Sequence, residues 1–307
     1  MDRAGHARPP GRGTIGAYSR SRWYRALRFV FRNRLFTVGV LVLGPLIFMA
    51  IAAPFLTGYG PTVMDVPNKL QAPSLSHPFG TDEYGRDLFA RVLYGSQISL
   101  RVAAAATIAM AILGILLGCL AGFYRLADTV ISRIGDALLN FPGLIIGIMV
   151  MAALGQSEGN VVLAMIIMYT PRIVRVVRAS VIEVKTIDFV DAARVIGASD
   201  LRILASHIAP HTIAPLVVQV TFGFAWAILV ESGLSFLGLG TPPPAPSWGN
   251  IISDGREFIR TAPWIMMFPG LMISIAVMGL NLMGDGLRDI LDPRLRNAAR
   301  RIETSVG

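Results

Sequence analysis

Residues 186–210 read TIDFVDAARVIGASDLRILASHIAP, a polar, helix-forming stretch set between long apolar runs. Asp188 is placed to cap a helix, and Asp191 stands three residues on as a capping-box-like pair. Phe189, Ala193 and Ile196 then recur at helical spacing on one face. Gly197 suits the left-handed position that ends a helix. Ser199 is placed to cap a second helix, on which Leu201, Leu204 and Ile208 repeat the apolar spacing until Pro210 limits it. The pattern predicts two helices of about two turns each, hinged at Gly197, and helices that short are marginal alone in water. Something must pack against them: their own bundle, or a groove on a partner.

The flanking sequence says what kind of bundle this is. Of 307 residues, 53% are apolar and 15% charged, where a soluble domain carries about a quarter charged. The mean hydropathy is +0.59. Runs 35–56, 102–124, 137–157, 211–230 and 261–284 are free of charge, and each is about long enough to cross a ~30 Å hydrocarbon core. Residues 159–179 form a sixth span. Its basic end, with Arg172, Arg175 and Arg178 on one face, is expected to snorkel into the headgroups. The chain thus reads as an all-α membrane protein of six transmembrane helices.

Its orientation is set by the basic residues. Residues 1–34 hold nine arginines against the single acid Asp2. With that end in the cytoplasm, the inner segments carry 22 of the 28 lysines and arginines, and the outer ones Lys69, Arg86, Arg91, Arg256 and Arg260. The positive-inside rule puts both termini in the cytoplasm. The expected divisions are a basic tail 1–34, a first helix 35–56 and an outer loop 57–97. Beyond these come a five-helix core 98–287 containing the 186–210 loop, and a tail 288–307.

Several function classes fall away. A lone Cys119 gives no disulfide framework and no paired metal or redox site. Ala50-Ile51-Ala52 resembles a signal-peptidase site, but its apolar run exceeds the roughly 7–15 residues of a signal peptide. The arginine-rich tail has no folded basic face for nucleic acid; attraction to anionic membrane lipid explains it better. A phosphate-binding loop needs a Gly-Lys pair, yet Asn68 and Val184 precede the only two lysines, Lys69 and Lys185. None of the four histidines sits well inside a span, and intramembrane charge is nearly absent, which weighs against an ion-coupled carrier. A plain scaffold would leave the hinged loop unexplained. Gly114, Gly118 and Gly122, and likewise Gly143 and Gly147, form GxxxG steps for close helix packing, within this chain or against a partner.

FVDAARVIGASDLRILASHIAP strongly resembles the EAA loop of bacterial ABC importer membrane subunits. HPFGTDEYGRDLFARVLYGSQISL (77–100), LVESGLSFLGLGTPPPAPSWG (229–249) and DGLRDILDPRLR (285–296) are similar to the C-type subunit of the dipeptide/oligopeptide/nickel permease family. Asp191 stands where that loop usually has glutamate, and Ala209 where it has a larger aliphatic residue. The resemblance implies a type I ABC importer transmembrane fold in the bacterial inner membrane. It implies a second homologous permease subunit, two ATP-binding subunits that hold ATP and magnesium, and an extracytoplasmic solute-binding protein, with no catalysis, cofactor or metal on this chain. Carried over, Asp191, Ala192, Ala193 and Gly197 would dock the ATPase, with Asp188, Arg194, Ala198, Ile208 and Pro210 completing the element. The expected substrates are di- or oligopeptides, with nickel chelates or glutathione-like compounds as the alternative.

The outer segments carry two further candidate groups. Asp82, Glu83, Arg86 and Asp87 of TDEYGRD either dock the binding protein or form a turn that pairs its own charges. Glu231, Ser232 and Ser235 lie where the fifth run ends, near the outer face, and are candidates for the translocation path. Trp248 and Trp264 are placed to mark the membrane interface, and 251–259 is apolar enough for a short re-entrant helix.

Overall fold

The computed structural model describes residues 33–291. The expected tail 292–307 and nearly all of tail 1–34 lie outside the described residues. Among the described residues the longer helices are α1 Arg34–Ile51, α2 Leu88–Phe123, α3 Arg125–Leu139, α4 Gly143–Leu154, α5 Glu158–Lys185, α6 Asp188–Val195, α7 Ala209–Phe236, α8 Trp248–Gly255 and α9 Trp264–Leu291. Among the described residues there is no strand, only an isolated bridge between Thr81 and Asp87. Five helical segments among the described residues are long and apolar enough to cross a membrane, six if the bent α3–α4 pair is one span.

Local chemistry sets the boundaries. The Asn33 side chain accepts from Phe36 N at 3.1 Å and starts α1. Asp87 accepts from Ala90 N at 2.8 Å and starts α2, while Ser157 accepts from Asn160 N at 3.1 Å and starts α5. Helix α2 therefore begins at Leu88, inside the expected outer segment 57–97. Thirty-six residues make α2 about 54 Å long, against a core of ~30 Å, so its first turns stand outside the bilayer. The 137–157 run is not one helix. It breaks at Asn140–Pro142 and turns by 94°, because Pro142 has no N–H to continue the ladder and keeps Phe141 out of helical geometry.

Close helix approach builds the core. Gly114, Gly118 and Gly122 of α2 meet Ile173, Val177 and Val181 of α5 in register, so the GxxxG face is used inside this chain. Gly143 and Gly147 likewise face Met168 and Leu234 of the same chain. On the other flank α1 lies against α9, with Gly39 beside the Gly279 carbonyl, and α7 packs against α2, α5 and α9. Two of the three α5 arginines are held by α3: Arg178 Nη2 donates to Asp128 at 2.8 Å and Arg175 Nη2 to Asp136 at 2.7 Å. Arg172 lies over the Tyr169 ring at 5.7 Å.

Candidate functional site

The 186–210 loop forms one short helix and an extension, not two separate helices. Helix α6 runs from Asp188 with Ile187 at its N-cap and no side-chain cap bond, so Asp188 and Asp191 are first-turn acids that favour the helix dipole instead of capping it. Asp191 Oδ1 accepts from Arg194 Nη1 at 2.7 Å. Gly197 adopts φ +83°. Its N–H bonds Arg194 O at 2.9 Å, and Ala198 N–H bonds Ala193 O at 3.1 Å, the paired bonds of a Schellman ending. Ser199 stands at the next N-cap without a side-chain bond. Pro210 does not stop the second helical stretch. A turn Asp200–Arg202 and a π-helical segment Ile203–Ile208 feed directly into α7, so residues 200–236 form one continuous helix. The π-helical segment directly before Pro210 is where the ladder adjusts to the missing N–H, so the proline sits in a continuous helix instead of ending it.

Burial splits the loop into two faces. Val190 (0%), Ala193 (4%), Leu204 (6%) and Ile208 (0%) are covered by the bundle, and Phe189 packs its ring 5.6 Å from His211. Ala192, Arg194 and Pro210 are not among the buried residues. Ile196, expected on the packed face, is 83% exposed, with Val195 at 87% and Leu201 at 72%. These three bracket the Gly197 turn and make an uncovered apolar tip.

The TDEYGRD charges turn inward. Asp82 is fully buried; its Oδ1 accepts from Tyr84 N and Arg86 N, and its Oδ2 from Arg86 Nε at 2.6 Å and from Arg91 Nη1. Arg91 Nη2 also reaches Asp254 of α8 at 3.0 Å. Asp87 is spent on the α2 cap and on His77 Nδ1 at 2.8 Å. Asp82, Arg86 and Asp87 are thus buried and pair with their own chain, which makes them a staple between the outer loop and α8, not an open docking face. Glu83 is less fully satisfied: its Oε1 accepts from Arg86 Nη2 at 3.3 Å. Burial, helped by the charges of Asp82 and Asp254, pushes its carboxyl above the usual range, and Oε2 has no hydrogen-bond partner among the described residues.

A raised carboxyl pKa favours the protonated folded state, so Glu83 weakens the fold as pH rises through its folded value. Glu83→Gln is expected to raise the melting temperature at neutral pH by a few degrees and to lose that advantage below the ordinary carboxylate range. Parallel melting curves of the two proteins across pH check this.

Glu231 does not lie beyond the fifth span. It sits within α7, 1% exposed, because the helix runs on to Phe236 past the end of the charge-free stretch. Its Oε1 accepts from Ser235 Oγ at 2.8 Å, and Ser232 Oγ lies 3.4 Å from Oε2. All three side chains are enclosed within this chain at the α2–α7–α8 junction. There Trp248, fully buried and not interfacial, donates from Nε1 to Ser96 Oγ at 3.1 Å and from its backbone N to Ser99 Oγ at 3.2 Å. In place of a helix over 251–259 the structure has α8 at Trp248–Gly255, capped by Ser247 and Asn250 and followed by a short turn Arg256–Phe258. The roles of Arg91, Asp254, Ser99 and Trp248 are invisible in the sequence, since contacts spanning about 150 residues leave no local signal. Among the described residues no group of His, Cys, Asp and Glu could hold a metal.

The fold matches that of the methionine ABC transporter MetNI in its inward-facing conformations, with a TM-score of 0.53 at 16% identity over 66% of this chain and 96% of the other. Residues 21–73 match the N-terminal transmembrane domain of oligopeptide transport permease C. The dipeptide transport system permease protein DppC of Alkalihalophilus pseudofirmus is 43% identical over 278 residues, 90% of this chain and 91% of that one. The glutathione transport system permease protein GsiD of Escherichia coli is 41% identical over 279 residues, 90% and 92% of the two chains. With residues 112–297 matching the binding-protein-dependent transport system inner membrane component, the chain belongs to that family: it is a multi-pass inner-membrane permease subunit of a bacterial ABC importer.

Proposed function

We propose that this subunit forms half of a heterodimeric pathway for short peptides delivered by an extracytoplasmic solute-binding protein. Its 186–210 loop docks one of two ATP-binding subunits on the cytoplasmic side, where both termini also lie. ATP and magnesium are held by those subunits, and this chain carries no catalytic residue. What supports the docking role is the apolar tip of Val195, Ile196 and Leu201, left uncovered by its own bundle around a glycine at φ +83°. Exposed apolar residues at the end of a rigid polar loop are suited to a groove on a soluble partner. Peptides are favoured by the similarity to a dipeptide permease, and glutathione, itself a modified tripeptide, is the second reading because a glutathione permease is nearly as similar.

The test is co-purification of the ATP-binding subunits with this chain from detergent. Val195→Asp combined with Ile196→Asp is expected to lose them while the membrane subunits stay folded; full retention would refute the assignment. Gly197→Val should act on the same association without a clash, since no atom lies within 4 Å of an added Cβ. A β-branched residue at positive φ is strained by roughly 1–2 kcal/mol or more, so docking should weaken by about tenfold. Equal affinity in Gly197→Val would show that the turn geometry is not part of docking.

A further inference from the structure

Among the described residues the buried charged side chains are Asp82, Arg86, Asp87, Arg91 and Glu231. The first four belong to the outer staple, where each meets an opposite charge or a helix start. Glu231 meets hydroxyls alone. Besides Ser232 and Ser235 of its own helix, Ser99 of α2 and Ser247, the N-cap of α8, place their hydroxyls beside its carboxyl. Both of these serines already accept from the first turn of α8: Ser99 Oγ takes Trp248 N–H at 3.2 Å, and Ser247 Oγ takes Asn250 N–H at 3.3 Å. A hydroxyl has one proton to give. With each oxygen turned to α8, that proton is left for Glu231, and the carboxyl thereby fixes the way both hydroxyls point. An acid behind the N-terminus of α8 also suits the helix dipole.

The seat of α8 is divided between two helices. Ser96, Ser99 and Arg91 belong to α2, and Arg91 Nη2 holds Asp254 at the far end of α8 at 3.0 Å. Glu231, Ser232 and Ser235 belong to α7, whose backbone lies so close that a Cβ on Gly249 of α8 would overlap the Ser232 carbonyl. Such a seat holds α8 only while α2 and α7 keep their relation. Helix α7 is continuous with the 186–210 loop, whereas α2 is packed against α5 through its glycine face. We propose that Glu231 is a positioning residue for import. By orienting Ser99 and Ser247 across the α2–α7 seam it holds the N-terminus of α8, and a displacement of α7 by the docked ATPase parts the seam and frees α8 on the outer face. Glutamine at this position keeps the shape but sets N–H donors against hydroxyls that have only a proton to offer. The inference rests on the coupling through the 186–210 loop proposed above and adds to it the residue that carries the change to the outer face.

The experiment uses the complete importer complex in lipid nanodiscs, with binding protein present throughout. It reads hydrogen exchange of the 247–255 amides without and with a non-hydrolysable ATP analogue. In the wild type, exchange there should rise about tenfold on adding the analogue, as a local opening of α8 requires, while the α5 amides stay unchanged. Glu231→Gln should already raise 247–255 exchange about tenfold without the analogue, the size of effect that a lost buried hydrogen bond gives, and should remove any further rise. Its ratio of binding-protein-stimulated to basal ATP hydrolysis should fall by about the same factor. Ser99→Ala should repeat the pattern, which keeps the test open where Glu231→Gln fails to assemble. Asn250→Ala opens the α8 cap without touching Glu231, so it should loosen α8 in both states yet keep the analogue's effect and the stimulation. The role of Glu231 is overturned by wild-type exchange that ignores the analogue, or by slow exchange in both Glu231→Gln and Ser99→Ala. Loss of stimulation in Asn250→Ala overturns it as well, since any loosening of α8 would then suffice. A wild-type complex without binding-protein-stimulated hydrolysis removes the coupling reading itself; stimulation that is present and equal in Glu231→Gln removes only this inference.

Discussion

Asp82→Ala is expected to destabilise the outer face of the protein by about 3–5 kcal/mol, the usual cost of removing one partner from a buried charge group. Asp82 is fully buried, and the substitution strips a shared acceptor from Arg86 and Arg91. It also frees the backbone N–H groups of Tyr84 and Arg86. Trp264 supplies the readout, because its Nε1 donates to Thr81 O at 3.3 Å beside the lost group. Thermal unfolding in detergent, monitored by tryptophan fluorescence, should show a large drop in midpoint and an altered Trp264 environment. Asp254→Asn should cost far less, since that side chain is 35% exposed. A wild-type midpoint for Asp82→Ala would mean that the staple contributes nothing and would restore these charges as candidates for a partner.

Gly118→Leu should be strongly damaging within the α2–α5 contact. A Cβ there would stand 2.6 Å from Val177 Cβ and 3.1 Å from Val174 O, so α2 and α5 cannot keep their spacing. Overpacking of this kind costs about 3 kcal/mol or more, and the loss should appear in this subunit before any partner is added. Adding Val177→Ala should recover a substantial part, as neighbouring sites couple. If Gly118→Leu leaves the isolated subunit intact and only disrupts assembly, the glycine stripe serves a partner chain instead.

Much of this architecture is legible in the sequence because its causes are local. Charge-free runs report the hydrocarbon core, and Gly197 reports its own backbone geometry, since glycine next to a capping residue leaves few other readings. The glycine spacing announces close approach, but not the identity of the facing helix. The features that sequence misreads share a different cause. Pro142 inside an apolar run is consistent with either a kink or a full break, and only the path of α4 decides between them. Pro210 resembles a stop because the continuity of residues 200–236 depends on how the bundle covers Leu204 and Ile208. Glu231 is misplaced by sequence alone because the charge-free run ends before the helix does. Asp82 has a neighbouring arginine in sequence, but its burial depends on Arg91 and on Asp254, far along the chain.

The unbroken run from Asp200 to Phe236, 37 residues long, is at ~1.5 Å per residue a rod of about 55 Å. One end carries Leu201 beside the uncovered tip, and the other carries Glu231 and Ser235 at the seat of α8. A tilt of ~10° imposed at the loop end would sweep the far end through roughly 9 Å by the same geometry. The run therefore acts as a lever between the two faces of the chain. Its irregular stretch, the π-helical turn Ile203–Ile208 followed by Pro210 and Pro215, lies towards the end where force would enter, leaving the arm beyond Pro215 stiff.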